Sequence, residues 1–290
     1  MTTVDREQRV LLAVLAHPDD ESFGMGGTLA LYAHRGVEVH LVCATRGEAG
    51  EVDPAHLKGY GSIAELREAE LRCAAAHLGL SEVHFLGYRD SGMVGSADNQ
   101  HPQALAAARL DEVATRVAHY IRKLRPQVIL TFDPIGGYRH PDHIAIHKAT
   151  VKAFHLAGDI EHRNGLLPHQ PQKLYFHLIP RRFLRLAVFL LRLFGKNPSR
   201  WGENADIDLV SIVSQDFPVH AEIDYREVEQ RKVAASACHA SQGSGGNTRN
   251  PILGRVLNTF FGGRDVFMRA YPPPEPGFKK RERDLFSGIF

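Results

Sequence analysis

Two apolar segments that end in histidine and aspartate constrain the fold of this chain more than any other feature. Leu11–Ala16 has the character of a buried strand and runs directly into His17–Glu21, which reads HPDDE. Far downstream, Val128–Phe132 is followed by Gly136–His143, which reads GGYRHPDH. Carboxylates and imidazoles are costly inside an apolar strand, so each motif marks a strand end. Together the motifs predict one metal site that is assembled from distant parts of the sequence.

Strand-like and helix-like segments alternate along the chain. This alternation predicts an α/β fold of the Rossmann-like, doubly wound kind, with a mostly parallel sheet, helices on both faces and a C-terminal extension. Thr28 is expected to cap the first helix, and Gly79 is expected to end the second. The predicted strands are Val10–Ala16, Val37–Ala44, Val83–Leu86, Val128–Phe132 and Lys173–Ile179, and the predicted helices are Thr28–Arg35, Ile63–Leu78, Ala104–Leu124, His143–Leu156 and Tyr225–His239.

The sequence contains no internal repeat and no strong domain boundary. Residues 1–270 are predicted to form a single domain, and residues 271–290 are predicted to form a C-terminal tail. Gly243–Asn250 is rich in glycine, serine and asparagine, which predicts a mobile loop.

One segment, Arg181–Phe194, departs from this alternation. It reads RRFLRLAVFLLRLF, and on a helical wheel Arg181, Arg185 and Arg192 cluster while the remainder is almost wholly apolar. A helix packed on the domain with its arginines in water explains the pattern. A second interpretation is an interfacial or lid helix that contacts membrane or a lipid-linked substrate, and a third is a subunit interface. The pattern leaves the oligomeric state open.

Charge and cysteine content limit the classes of partner and location. The 290 residues carry a net charge of +2, which gives no general attraction to nucleic acid, and we expect no nucleic-acid partner. The three cysteines, Cys43, Cys73 and Cys238, are odd in number and widely spaced, without a CxxC pair. We therefore expect no disulfide framework and a cytoplasmic location. The polar start of the sequence has no signal-peptide pattern, and no apolar run is long enough to span a bilayer.

The first motif offers two metal ligands and a further carboxylate beside them. His17 and Asp20 lie three residues apart, so a turn after the strand can aim both at one point, and both are ordinary zinc ligands. Asp19 lies between them and is placed to contact a metal-bound water. Capping of the next helix by these carboxylates is a weaker explanation, because that helix is predicted to begin at Thr28. The glycines at 24–27 do not have the GxGxxG spacing of a nucleotide loop and more simply permit tight packing.

The second motif supplies the remaining ligand. His140, His143 and His147 are all candidates, because a catalytic zinc usually keeps three protein ligands and leaves one position open for water. His17, Asp20 and one of these histidines would complete the set. In the common strand order the fourth strand lies beside the first, so the two motifs would flank the topological switch point where such sheets bind ligands.

These paired motifs resemble those of the PIG-L/LmbE family of zinc-dependent N-acetylglucosaminyl deacetylases. The resemblance extends through TRGE at 45–48, ELR at 65–67, LGYRDSGM at 86–93 and CHASQ at 238–242. It implies that His17, Asp20 and His143 bind one zinc ion per chain, with Fe²⁺ as the alternative native metal. The implied activity is removal of the acetyl group from an N-acetylglucosamine-type sugar or glycoconjugate.

The resemblance also implies catalytic roles. Asp19 would be the general base on the zinc-bound water. Tyr138 would polarise the amide carbonyl and help to hold the oxyanion. His140 would protonate the leaving amine or stabilise the oxyanion, and Asp142 would orient His140. A neighbouring carboxylate such as Asp142 is expected to raise the pKa of that histidine.

Substrate contacts and competing activities complete the predictions. Arg67 and Asp90 match sugar-binding positions of the family, Glu48 is a weaker match, and His239 lies in a matching motif without an evident role. An amidase on a thiol conjugate is an alternative, although that branch tends to carry a lysine after the first motif where this chain has GMG. A non-catalytic metal- or sugar-binding protein would lack the base or the proton donor, and a phosphoesterase would hold two metals.

Overall fold

The structure is a computed structural model that describes residues 8–179, 181–200, 208–243, 263–275, 277 and 280–289, with the backbone alone for 181–183. Its strands are β1 Val10–Leu15, β2 Glu38–Cys43, β3 Glu82–Phe85, β4 Val128–Phe132, β5 Lys173–Leu178, β6 Ala221–Asp224 and β7 Arg264–Tyr271. Its α-helices are α1 Asp20–Phe23, α2 Gly26–His34, α3 Ile63–Leu78, α4 Leu110–Leu124, α5 Gly136–Arg139, α6 Pro141–Leu156, α7 Arg181–Leu193, α8 Leu209–Val213 and α9 Glu229–Cys238.

The strands form one mixed, mostly parallel sheet in the order β3-β2-β1-β4-β5-β7-β6. The first five strands are parallel, and β7 runs antiparallel to both β5 and β6. Every residue of β1 and β4 is buried, as expected for central strands that are covered on both faces. Helices α2, α3 and α9 pack together, and α4 packs against α6. The Rossmann-like, doubly wound α/β prediction is therefore confirmed.

The strand order explains why the two sequence motifs meet. Strands β2 and β3 extend the sheet from one side of β1, and β4 and β5 extend it from the other. The chain therefore reverses its direction of winding between β1 and β4, and ligands of such sheets bind outside the carboxyl ends of these strands. Leu11–Ala13 pairs in parallel with Val128–Leu130, so both motifs emerge at the same edge.

The observed helix ends can be compared with the predicted capping residues Thr28 and Gly79. Helix α3 has the predicted bounds: the Ser62 hydroxyl accepts a hydrogen bond from the Glu65 N–H at 3.2 Å, and Gly79 follows in the left-handed region at φ 78°. Thr28 is not a cap, because α2 already begins at Gly26 and the Thr28 hydroxyl donates to Asp265 at 2.7 Å.

Three further predicted helices begin later or earlier than expected. The helix predicted from Ala104 begins at Leu110, because a short 3₁₀ turn precedes it. The helix predicted from His143 begins at Pro141, because the fixed φ of proline suits the first turn of a helix. The helix predicted from Tyr225 begins at Glu229, after another 3₁₀ turn.

One of the glycines after the first motif is required by close packing. A Cβ atom on Gly27 would lie 2.2 Å from ring atoms of Tyr225, well inside contact distance. This glycine lets α2 approach the segment before α9, which agrees with the packing role predicted for the glycines at 24–27.

The structure contains one disulfide, which the expectation of no disulfide framework did not foresee. Cys73 of α3 and Cys238 of α9 are joined by a disulfide, with their Cα atoms 5.9 Å apart. Helices α3 and α9 pack side by side, which brings together two positions that are 165 residues apart in the sequence. The spacing of the cysteines could not reveal that contact. Cys43 is buried and lies outside this disulfide.

Two peripheral segments were predicted as an inserted helix and a tail. The inserted helix is present as α7, and its Val188 packs with Leu209 and Ile212 of α8. Leu285 and Phe286 are buried in the main core, so this part of the predicted tail helps to form it. No helix in the described ranges is long and apolar enough to cross a membrane. Residues 244–250 of the predicted loop lie outside the described residues.

Candidate metal centre and active site

The first motif forms a tight turn at the carboxyl end of β1. His17 follows the strand, and Asp20 begins α1. Oδ2 of Asp20 accepts a hydrogen bond from the backbone N–H of His17 at 2.7 Å, which folds the motif back on itself. The same oxygen lies 3.6 Å from His17 Nδ1. The turn therefore aims both side chains at one point.

His143, from the first turns of α6, completes a triangle of possible ligand atoms. Its Nε2 lies 3.3 Å from His17 Nδ1 and 3.2 Å from Asp20 Oδ1, and none of the three side chains is more than 9% exposed. Tetrahedral ligands about 2.0–2.1 Å from zinc lie about 3.3–3.4 Å from one another. His17, Asp20 and His143 therefore fit a zinc site with three protein ligands and one open position.

Another grouping of side chains also lies within ligand distance. His17, His140 and His143 offer ring nitrogens within 4.8 Å of one another. The grouping with Asp20 includes a carboxylate, which offsets part of the charge of a divalent cation. This charge balance favours Asp20 over His140 as the third ligand.

The far edge of the His17 ring faces two carboxylates. Nε2 of His17 lies 3.1 Å from Asp142 Oδ2 and 3.4 Å from Asp90 Oδ1, and the Ser91 N–H donates to Asp142 at 2.9 Å. Carboxylates in this position fix a ligating histidine and increase its basicity. The role predicted for Asp142 is therefore corrected: its carboxylate orients His17, and its contact with His140 is made through its backbone N–H.

His140 lies beside the triangle as a neutral ring. Its centroid is 4.6 Å from that of His17, and its Nδ1 accepts the backbone N–H of Asp142 at 3.2 Å. A neutral ring with Nδ1 as acceptor carries its proton on Nε2. Burial lowers the pKa of His140 well below its usual value, and His17 and His143 add to this effect. Asp90 and Asp20 act to raise this pKa, as expected of neighbouring carboxylates, but burial outweighs them, so the net shift is opposite to the one predicted from Asp142.

The third candidate histidine has a structural contact. Nδ1 of His147 lies 2.8 Å from the backbone carbonyl of Phe132, the last residue of β4. The ring packs edge-on against Phe176 of β5, with 4.6 Å between centroids. His147 thus ties α6 to the sheet, and its Nδ1 is committed to that contact.

Asp19, the predicted base, is held by a buried arginine. Nη2 of Arg67 donates to Asp19 Oδ2 at 2.8 Å, and Nη1 donates to the Gly47 carbonyl at 3.1 Å. Burial raises the pKa of Asp19 to about 6, although the charge of Arg67 acts to lower it. Asp19 has a φ of 128°, which is unusual for any residue except glycine. Arg67, predicted to bind sugar, thus also anchors the carboxylate of Asp19.

Tyr138 lies beside His143. It lies in α5, an irregular turn in which Gly137 takes a φ of 67° that favours glycine. The ring centroid of Tyr138 is 5.0 Å from that of His143. Burial raises the pKa of Tyr138 well above its usual value, and Asp20 adds to this effect, so the hydroxyl keeps its proton and can donate a hydrogen bond.

Two cavities meet at Asp19 and Tyr138, the two side chains that line both. The first, here called the apolar cavity, has a volume of about 420 Å³ and also reaches Asp20 and His143. The second, here called the polar cavity, has a volume of about 950 Å³ and also reaches His17. The apolar side chains of the first are Phe23, Met25, Phe132, Leu178, Ile179 and Val266. Polar side chains of the second include Glu51, Asp53, Arg67, Asp90, Ser96 and Gln242.

The predicted sugar-binding residues occupy different positions. Arg67 and Asp90 line the polar cavity, and Asp90 Oδ1 accepts the N–H of Gly92 at 2.9 Å. Glu48 contacts the backbone of Asp90: its Oε2 accepts the Asp90 N–H at 3.1 Å. Glu48 therefore positions the Asp90 loop.

A buried network of hydrogen bonds that the sequence does not predict lies next to Asp19. Oε1 of Glu21 lies 2.7 Å from Nε2 of His239, and Glu70 accepts both the N–H of Ser241 at 2.8 Å and its hydroxyl at 2.7 Å. These contacts join the end of α9 to α1 and α3. The CHASQ motif was the available signal, but the partners of His239 and Ser241 lie far away in the sequence.

The fold and the site define a class: a doubly wound α/β protein with a candidate metal centre at its topological switch point. The chain belongs to the PIG-L family. A family model described as PIG-L, GlcNAc-PI de-N-acetylase, matches residues 12–154, which include both motifs.

Curated relatives extend this assignment beyond the matched region. The 1D-myo-inositol 2-acetamido-2-deoxy-alpha-D-glucopyranoside deacetylase of Kineococcus radiotolerans is 42% identical over 257 residues, covering 82% of this chain and 70% of the relative. The protein of the same name from Acidothermus cellulolyticus is 38% identical over 290 residues, covering 97% of this chain and 95% of the relative. The similarity therefore extends over almost the whole chain.

Solved structures support the fold. The N,N'-diacetylchitobiose deacetylase from Pyrococcus horikoshii superimposes with a TM-score of 0.61 at 21% sequence identity, covering 91% of this chain and 84% of that chain. At this identity the likeness concerns the arrangement of the chain, and the reaction has to be inferred from the site.

Proposed function

We propose that this protein is a metal-dependent deacetylase that hydrolyses the acetamide of an N-acetylglucosamine-type glycoside. The observation that carries the proposal is the cluster of His17, Asp20 and His143 beside a half-buried Asp19. The two ring nitrogens lie 3.3 Å apart, Asp20 Oδ1 lies 3.2 Å from His143 Nε2, and Asp20 Oδ2 lies 3.6 Å from His17 Nδ1. We assign one ion per chain, with zinc favoured by the His₂Asp ligand set and Fe²⁺ as the alternative.

Asp19 is the proposed general base. A bound zinc ion would lower the pKa of its water to about 7 and polarise the substrate carbonyl. The Asp19 carboxylate, held by Arg67 through a 2.8 Å hydrogen bond, takes the proton from the attacking water. A carboxyl group with a pKa of about 6 can also return a proton near neutral pH, so Asp19 can protonate the departing amine.

His140 and Tyr138 are the proposed oxyanion donors. The Nδ1 of His140 accepts a backbone N–H, which leaves the Nε2–H free to donate to the developing negative charge. The Tyr138 hydroxyl keeps its proton and can donate a second hydrogen bond. Of the two roles predicted for His140, its neutral state supports oxyanion stabilisation over protonation of the amine.

The sugar is assigned to the polar cavity. Its hydroxyl groups need hydrogen-bond partners once water is excluded, and Arg67 and Asp90 supply them there. The curated relatives are named as deacetylases of 1D-myo-inositol 2-acetamido-2-deoxy-alpha-D-glucopyranoside, so an N-acetylglucosamine joined to inositol is the first substrate to test.

The alternative activities make different predictions. A non-catalytic binding protein would lack the base or the oxyanion donor, yet Asp19, Tyr138 and His140 all lie next to the proposed ligands. A phosphoesterase would hold two metal ions. An amidase on a related conjugate would use the same centre and differ in the acyl group it releases.

The decisive experiment measures acetate release and metal content together. Asp19→Ala is expected to lower acetate release at least about a thousandfold while the metal content stays near one per chain. His143→Ala is expected to lose both metal and activity. Asp111→Ala, at a largely exposed position, is the matched control. Acetate release by Asp19→Ala at the rate of the unaltered protein would contradict the assignment of the base.

A cytoplasmic location is part of the proposal and has its own test. The Cys73–Cys238 disulfide weighs against it, because disulfides rarely persist in a reducing cytoplasm. Rapid alkylation in intact cells followed by mass spectrometry would report the state of Cys73. Free Cys73 in cells would agree with a cytoplasmic protein, and a fully oxidised population would contradict it.

A further inference from the structure

An amide substrate has two substituents, and the site offers two cavities of different chemical character. Asp19 and Tyr138 line both cavities, so the reacting carbonyl group lies where they meet. His17 belongs to the polar cavity, whereas Asp20 and His143 belong to the apolar one. The scissile amide bond thus crosses the boundary between the two.

The polarity of each cavity decides which substituent it takes. A buried hydroxyl without a partner costs about 1–3 kcal/mol, so the sugar belongs among the polar groups beside Asp90. The acyl chain then points into the other cavity, where Phe132, Ile179 and Val266 present carbon surface. Burial of apolar chain against apolar wall is favourable.

The apolar cavity is far larger than an acetyl group requires. Its volume is about 420 Å³, whereas a methyl group is close in size to the roughly 30 Å³ that one water molecule occupies in the liquid. Charged side chains in its wall are paired with protein groups: Lys232 lies 3.4 Å from Asp265, and Arg264 lies 3.1 Å from Glu222. These groups do not call for a charged ligand.

We propose that the apolar cavity is an acyl-binding site, and that the protein hydrolyses N-butyryl and N-hexanoyl glucosaminides as well as the acetamide. The inference rests on the proposed deacetylase function. In each case water adds to the acyl carbon, the C–N bond breaks, and the amine leaves with a proton. The products are the free sugar amine and a short-chain carboxylate.

A series of substrates that differ in acyl length tests this proposal. Methyl α-glucosaminides with N-acetyl, N-propionyl, N-butyryl and N-hexanoyl groups are assayed by the primary amine released from the metal-loaded protein. The expected kcat/KM for the longer acyl groups is within tenfold of the acetyl value or above it, since each buried methylene can contribute up to about fourfold. Values below one-tenth for butyryl and hexanoyl would overturn the acyl site while leaving the deacetylase intact. Absence of all four activities would overturn the proposed function as well.

Substitutions in the wall locate the acyl chain. Val266→Phe and Ile179→Phe reduce the apolar cavity, and each is expected to lower the ratio of hexanoyl to acetyl kcat/KM at least tenfold. Val233→Phe is the matched control, because Val233 is 60% exposed on α9 and is expected to leave the ratio unchanged. Because the two substitutions are at different positions, the test remains possible if one of the two variants fails to fold. An unchanged ratio in the folded variants would place the acyl group elsewhere and overturn the proposal.

Discussion

Glu21 and His239 form a fully buried pair beneath the proposed base, with Glu21 Oε1 2.7 Å from His239 Nε2. The other oxygen of Glu21 accepts the backbone N–H of Asp19 at 3.0 Å. Asp19 holds a φ of 128°, a backbone state that costs of order 1–3 kcal/mol outside glycine. Glu21 thus couples the end of α9 to the strained residue that carries the catalytic carboxylate.

Removal of the Glu21 carboxylate is expected to affect both stability and turnover. Glu21→Ala leaves His239 buried without its partner, so the free energy of unfolding in urea should fall by about 3 kcal/mol. Loss of the hydrogen bond to Asp19 should lower kcat at least tenfold and change KM less than threefold, with metal retained. Glu161→Ala, at an exposed position, is the control. A change in stability below about 1 kcal/mol for Glu21→Ala would contradict the buried-pair interpretation.

The low pKa of the His177 side chain leads us to predict that the protein loses stability in acid. Burial lowers the pKa of His177 to about 4 in the folded protein, against about 6.5 in the unfolded chain. The unfolded state therefore binds this proton more tightly, and stability is lost as the pH falls from about 6.5 to 4. We expect His177 to account for about 2 kcal/mol of that loss after allowance for its partial exposure. Urea unfolding of His177→Phe at both pH values should show a correspondingly smaller decrease, and His119→Phe, at an exposed position, should not.

The sequence was most informative where local signals decide the structure. Val128–Phe132 and Ile63–Leu78 have the predicted bounds, because an apolar run and a pair of helix caps act over a few residues. The meeting of His17 with His143 follows from strand order, which the α/β alternation makes predictable. The site triangle could therefore be anticipated before any coordinates.

Contacts between elements that are distant in the sequence could not be predicted from local patterns. Nothing in the spacing of Cys73 and Cys238 shows that α3 packs on α9. The carboxylate of Asp142 was assigned to its sequence neighbour His140, yet the helix start directs it to His17 instead. Strand β7 lies between β5 and β6 and is antiparallel to both, and the sequence before it lacks the alternation that predicts the first five strands.

The Cys73–Cys238 disulfide predicts a redox-dependent stability. A bridge that closes a loop of 165 residues restricts the unfolded chain, so Cys73→Ser should lower the free energy of unfolding by about 2–5 kcal/mol. Dithiothreitol should lower the stability of the unaltered protein by a similar amount and leave Cys73→Ser unaffected. Cys43→Ser keeps the bridge and should still respond to dithiothreitol. Three alkylatable thiols in the unreduced, denatured protein would contradict the bridge.

Helix α7 predicts attachment to an anionic lipid bilayer. The exposed apolar side chains of α7 and of the residue that follows it include Phe189 at 62%, Leu193 at 66% and Phe194 at 74% exposure. Residues 181–200 contain six arginines and lysines and no acidic residue, although the whole chain carries only +2. This charge favours an anionic surface, into which the apolar side chains can insert. Co-sedimentation should therefore be strong with phosphatidylcholine vesicles that contain phosphatidylglycerol, weak with phosphatidylcholine alone, and reduced by added salt.

Phe189→Asp provides the decisive variant for this attachment. It replaces a side chain whose insertion contributes about 1.5–3 kcal/mol with a charge that the anionic surface repels, so vesicle affinity should fall at least tenfold. Ile160→Asp changes another exposed apolar residue, at 74% against 62% for Phe189, outside α7 and should leave the affinity unchanged. Equal binding of Phe189→Asp and the unaltered protein would contradict attachment through α7. Concentration-dependent self-association without vesicle binding, abolished by Phe189→Asp, would instead assign this face to a second copy of the chain.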